Sequence, residues 1–123
     1  MPFSVKYDEI MKAVVVVLTG RISLQSIREA ALEVARLCNE TGCRRILNNA
    51  SVADTRDLSF MDVYSSPEVL EECGVQQTTR RAVVVPADFN RARFLEDVTC
   101  NRGHHLRVFR DLDEATAWLC GSE

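Results

Sequence analysis

The side chains best suited to chemistry in this chain fall into three small groups. The first is Cys100 with His104 and His105, spaced C-x3-H-H. A thiol beside Arg102 and His104 has neighbours that lower its pKa and favour nucleophilic chemistry, so a thiol-dependent activity at Cys100 is the enzymatic alternative. The plainer reading is a buried helix cysteine. Zinc suits the group poorly. Gly103 is expected to end a helix between the cysteine and the histidines, adjacent strand residues point to opposite faces, and a fourth ligand would have to come from Cys38 or Cys43.

The second group is polar and sits where strands should end: Asn48, Asn49, Asp54 and Arg56 after one, Asp88, Asn90 and Arg91 after the next. Ligands of parallel α/β sheets collect at the carboxyl ends of strands. Asn49 can donate and accept hydrogen bonds but cannot serve as a general base. Loop and cap residues are the bland alternative, a polar pocket the sharper one. The third group is the stretch Leu58–Ser66, LSFMDVYSS, with Asp62 and the hydroxyls of Tyr64, Ser65 and Ser66. No GxSxG, HExxH or phosphate-binding glycine loop is present, and Gly20, Gly42, Gly74, Gly103 and Gly121 stand singly. These residues imply no enzyme, no metal and no cofactor.

The elements that must position these groups are legible from periodicity. Phe3, Val5 and Tyr7 alternate with polar residues, as a half-covered strand does. Ala13–Leu18 is a continuous β-branched run and predicts a strand buried on both faces, ended by Gly20. Leu24, Ile27, Ala30, Ala31, Val34, Leu37 and Cys38 form one helical stripe, capped by Ser23, or by Ser26 with Glu29, and closed by Gly42. A short strand around Ile46 and Leu47 precedes a polar loop, Ser51 to Asp57. Ser59 with Asp62, then Ser66-Pro67, predict a kinked or two-piece helix ending at Gly74. RAVVVPA is a buried strand, Ala92 to Val98 a helix stopped by Gly103, and HLRVFRD the last strand. Asp111 with Glu114 caps a final helix bearing Leu112, Ala115, Trp118 and Leu119.

The result is a single α/β domain over residues 1–123, in the order β-β-α-β-α-β-α-β-α. It implies a mixed, mostly parallel five-stranded sheet with about four helices, the first strand antiparallel to the second. Composition is that of an ordinary globular chain, 46% hydrophobic and 27% charged, and the net charge of -3 is too small to select a partner. Thirteen of the fifteen basic residues are Arg, and seven lie between Thr78 and Arg110 against Asp88, Glu96 and Asp97. That segment reads as a solvated rim or an anion-binding patch; with few aromatics and no recognised motif, it does not read as a nucleic-acid surface. Five cysteines without CxxC, no signal peptide and no transmembrane run lead to the expectation of a cytoplasmic protein with reduced thiols.

This order, with LSFMDVYSS and RARFLEDVTCNRGHHLRVFRDLDEATAWL, resembles the SpoIIAA-like fold of STAS domains and anti-sigma-factor antagonists, over nearly the whole chain. It is most similar to a STAS-like branch through Gly20 with Ser23, Asn49, Asn101-Arg102-Gly103, Val108-Phe109-Arg110-Asp111, Glu114-Ala115 and Trp118-Leu119. The resemblance implies a bacterial, non-enzymatic regulatory or protein-binding module. Anti-sigma-factor antagonists read F-M-D-S-S-G, and the first Ser, at a helix start, is phosphorylated to block docking. Here Phe60-Met61-Asp62 is followed by Val63 and Tyr64, so the usual phosphorylatable Ser is missing.

The expected docking surface runs from Asp54 to Ser66. Its candidate partner- or ligand-binding residues are Asn49, Asp54, Arg56, Asp62, Tyr64, Asp88 and Arg91. An unidentified protein partner is expected, and a homodimer if one sheet face is left bare. The alternative, by fold-level analogy to lipid carriers, is a small-ligand or lipid-binding module. It needs an apolar pocket near the sheet's C-terminal edge, between the sheet and the helix of Phe60, Met61 and Tyr64.

Overall fold

The hairpin that opens the chain is closed by Asp8. In the computed structural model, which describes residues 3–121, its Oδ1 accepts from the amides of Ile10 and Met11, each at 2.9 Å, a turn that short acidic side chains favour. It joins β1 (Phe3–Asp8) to β2 (Ala13–Arg21) in an antiparallel pair, Val5 opposite Val16. β3 (Arg45–Asp54), β4 (Arg80–Val84) and β5 (His105–Phe109) follow in parallel, so the sheet order equals the chain order. The expected element order and mixed sheet are found as such.

Four helices make the connections: α1 (Leu24–Thr41), α2 (Phe60–Glu72), α3 (Ala92–Asn101) and α4 (Leu112–Cys120). Val14, Val16, Leu18 and Ile46 face α1 and α2. Val83, Val85 and Val108 continue that face beneath α3. The intervening residues Ala13, Leu47, Ala82 and Val84 point the other way, to Ala115 and Leu119 of α4. Period-2 alternation thus divides the core between the two faces. The condition attached to self-association is met only in part, because α4 covers β3 to β5 and leaves Val15 and Val17 of β2 half-buried. β5 is an edge, and α3 tends it: Glu96 accepts from the Val108 amide at 2.8 Å.

Local expectations are corrected or narrowed at three places. β3 runs ten residues to Asp54, where a polar loop was expected from Ser51. A register shift between Val17 and Thr19 lets Thr19, Gly20 and Arg21 extend β2 and pair with Val52, Ala53 and Asp54, with Gly20 at φ 67° inside the strand. Backbone pairing there is indifferent to the polar side chains. Of the two caps expected for α1, Ser23 is used, with Ser26 at its third position, and Ser26 with Glu29 is not. And α2 is one continuous helix. Its start is the Ser59–Asp62 box, while Ser66-Pro67 is interior, where Ser66 Oγ donates to the Val63 carbonyl at 2.8 Å. That carbonyl is the one Pro67, lacking an N–H, cannot serve.

Candidate functional site

The strand ends carry a groove of about 620 Å³ formed by two loops. The β3–α2 loop contributes Asp54, Arg56 and Ser59; the β4–α3 loop contributes Asp88, Asn90 and Arg91. The loops are tied together, since Arg91 Nη1 donates to the Leu58 carbonyl at 2.9 Å. Arg110, from the end of β5, donates to the carbonyls of Pro86 at 2.8 Å and Phe89 at 2.7 Å and so sets the second loop. Sequence reading gave Arg110 no such part, although its place just past β5 was visible.

One pair of charges within the groove is spent on itself. Arg56 meets Asp54 at 2.7 Å, and this hydrogen-bonded pairing holds the Asp54 carboxyl below its usual range. A carboxylate so held is a poor proton donor near neutral pH. At the rim Arg21 pairs with Asp57 at 2.6 Å. Asp88 is exposed.

Of the seven candidate residues, Asp54, Arg56, Asp88 and Arg91 share the groove. Asp62 and Tyr64 lie beside it on the first turns of α2, Asp62 occupied in the helix cap. Asn49 is apart: its Oδ1 accepts from Ser51 on β3. Next to the groove, Phe60, Met61 and Tyr64 are 52%, 60% and 57% exposed, three large apolar side chains on neighbouring turns. Phe60 is steadied by stacking on Phe94, with ring centroids 4.3 Å apart.

The valine that follows Phe60-Met61-Asp62 points inward. Val63 is 4% exposed and clusters with Val85 and Phe89. Helix α2 begins at Phe60, so Phe-Met-Asp lies inside the helix and the hydroxyl at the helix start is that of Ser59. Ser66 caps nothing; it serves the carbonyl beneath Pro67.

Cys100 is exposed, not buried, and its thiol donates to the Leu106 carbonyl at 3.3 Å. The neighbours expected to activate it are engaged elsewhere. Arg102 binds Glu71 at 2.7 Å, and His104 is buried with Nε2 2.6 Å from Glu71 and Nδ1 on Arg81 Nη2. Since a guanidinium only donates, Nδ1 accepts and the imidazole proton sits on Nε2, facing the carboxylate. Burial pushes the His104 pKa down, in keeping with a neutral ring, while hydrogen bonds from Arg102 and His104 lower Glu71 to about 2. His105 turns to the opposite face against Trp118. Among the described residues, no three His, Cys, Asp or Glu side chains gather as a metal site.

Sequence reading missed this Arg102–Glu71–His104–Arg81 relay. A signal existed: in RAVVV, Arg81 occupies the same alternation as the inward Val83 and Val85. Nor do the arginines of this segment form one patch. Arg80 lies over Trp118 at 3.9 Å, Arg81 is buried, and Arg102 and Arg110 are engaged as above.

Arg81 borders a second space, a cavity of about 140 Å³ between the sheet and α1 to α3. Its walls include Val16, Ile46, Val34, Leu70 and Leu95. Phe60, Met61 and Tyr64, expected to line such a pocket, are not among them; α2 contributes Ser66, Pro67 and Leu70 instead. Thr55, Leu58 and Phe89 border both cavity and groove.

No protein-family model matches the chain, and no curated protein does. Among solved structures the chain is similar to that of the anti-sigma factor antagonist SpoIIAA in its unphosphorylated form. Identity is 16% and the TM-score 0.53, over 97% of this chain and 98% of that one. The chain therefore has the SpoIIAA-like fold. No helix among the described residues is long and apolar enough to cross a membrane.

Proposed function

We propose that this chain, with its SpoIIAA-like fold, is a non-enzymatic regulatory module that binds another protein through α2 and the adjoining groove. One observation carries the reading: Phe60, Met61 and Tyr64 stand together on α2, each more than half exposed. Solvated apolar clusters of this kind are what partner surfaces use, and aromatics anchor them. The polar rim of Asp54, Arg56, Asp88 and Arg91, with Arg56 paired to Asp54, suits a border around that centre.

Docking is not switched by a phosphate at position 63, where a valine is buried. Within the groove Asp54 is held by Arg56 and Arg91 by the Leu58 carbonyl, which favours binding over catalysis. Affinity capture from source cells tests the reading. One partner should be recovered by the wild type and lost with Tyr64→Ala or Asp62→Ala; recovery of the same partner by both variants would count against it.

A second reading, a small-ligand module, is favoured by the cavity. Its size excludes a long acyl chain: about 150 Å³ is the room a benzene-sized guest takes. Native mass spectrometry of freshly purified protein checks it, with a bound mass of that size expected and a ligand-free spectrum counting against it.

A further inference from the structure

A cationic side chain sealed inside a hydrophobic core needs an acceptor for each of its donors. Arg81 is 1% exposed. Its Nη2 is taken by His104, but Nε and Nη1 have no hydrogen-bond acceptor among the described residues. Burial draws its pKa down to about 10, still well above neutral, so the group is charged in ordinary buffers. Glu71, the nearest carboxylate in the relay, is engaged by His104 and Arg102. An unpaired buried charge is costly, and the fold keeps one at the wall of a cavity that is otherwise almost entirely apolar.

We propose that this cavity binds a small monocarboxylate, with the carboxylate accepting from an unpartnered donor of Arg81 and the apolar body against Val16, Ile46, Val34, Leu70 and Leu95. The premise is the small-ligand reading above; the new content is the chemical class. Charge selects an anion, since a guanidinium offers donors only, and such charge-assisted bonds are the strong ones. The unpartnered Nε and Nη1 lie on different edges of the guanidinium, so a singly charged carboxylate accepting from one of them suits the site, whereas a phosphate dianion brings more charge and more acceptors than the site can match. At about 140 Å³ the body is limited to a single ring or a short chain. The walls shared with the groove, Leu58, Thr55 and Phe89, put the cavity one side chain from the surface.

Methyl NMR of the full chain, titrated with benzoate and hexanoate and separately with benzyl alcohol and hexanol, tests this. Saturable shifts are expected at the methyls of Val16, Ile46 and Leu70. The carboxylates should bind at least about tenfold more tightly than the alcohols, and Arg81→Met should erase that preference. Should Arg81→Met fail to fold, Ala31→Val, which narrows the cavity and keeps Arg81, must weaken carboxylate binding. Equal affinity for acids and alcohols, or a preference that survives Arg81→Met, overturns the carboxylate assignment and leaves the small-ligand reading standing. Absence of shifts with all four probes overturns both.

Discussion

Single residues decide what this site can and cannot do. Val63 is the clearest case, because a charge there would sit against Val85 and Phe89. Val63→Asp should destabilise the fold by about 3 kcal/mol or more, the cost of a buried unpaired carboxylate. Ser59→Asp should stay within about 0.5 kcal/mol of wild type, since Asp caps a helix as well as Ser does. Urea midpoints of the two variants check both. Glu71 makes a pH prediction. Its folded pKa, about 2 against an ordinary 4.5, is depressed, so its contribution to stability is present above about pH 4.5 and is lost as pH falls toward 2. Being 26% exposed, the side chain is partly screened by water and the effect is modest. Glu71→Gln should lower the denaturation midpoint near neutral pH, and the gap to wild type should narrow by about pH 3. A gap that is constant with pH would show that Glu71 acts by packing alone.

At the scale of elements, α2 shows how a local signal can be read correctly and placed wrongly. Ser-Pro inside a helical pattern is an ordinary start signal, and the sequence offers two such starts seven residues apart. The structure uses Ser59 for the cap and hides Pro67 in mid-helix, fully buried. Ser66 makes this tolerable by donating to the carbonyl that Pro67 orphans. Ser66→Ala should therefore cost about 1 kcal/mol. In a Pro67→Ala background, where residue 67 regains its N–H, the same change should cost measurably less. A double-mutant cycle reads that coupling directly, and strict additivity would contradict the compensation. The end of β3 was illegible for a different reason: Ser51 to Asp54 lack an apolar pattern, and only the extension of β2 through Gly20 gives their backbone a partner.

Across the whole molecule, periodicity and helix signals were enough for element order and sheet type, because burial writes itself into alternation. The candidate site was legible in part. Asp54, Arg56, Asp88 and Arg91 could be grouped because parallel sheets present their loops at one edge, and the fold does bring them together. Asn49 lies apart from the groove because it belongs to the strand and not to its end. The relay from Glu71 to Arg81 joins residues ten apart in sequence on different elements, with His104 between them from a third segment. No local pattern encodes such a meeting. What the assembled molecule offers a partner is a tethered pair of loops, a rigid helix start and three exposed apolar side chains.

The central claim, that α2 is the docking surface, is tested most directly by site-specific photo-crosslinking in source cells. A benzophenone side chain at Tyr64 should crosslink to one protein, reproducibly, while the same probe at Val52, 71% exposed on β3, should give none of that product. Equal capture of that protein from both positions, or no crosslinked protein from Tyr64, would contradict it.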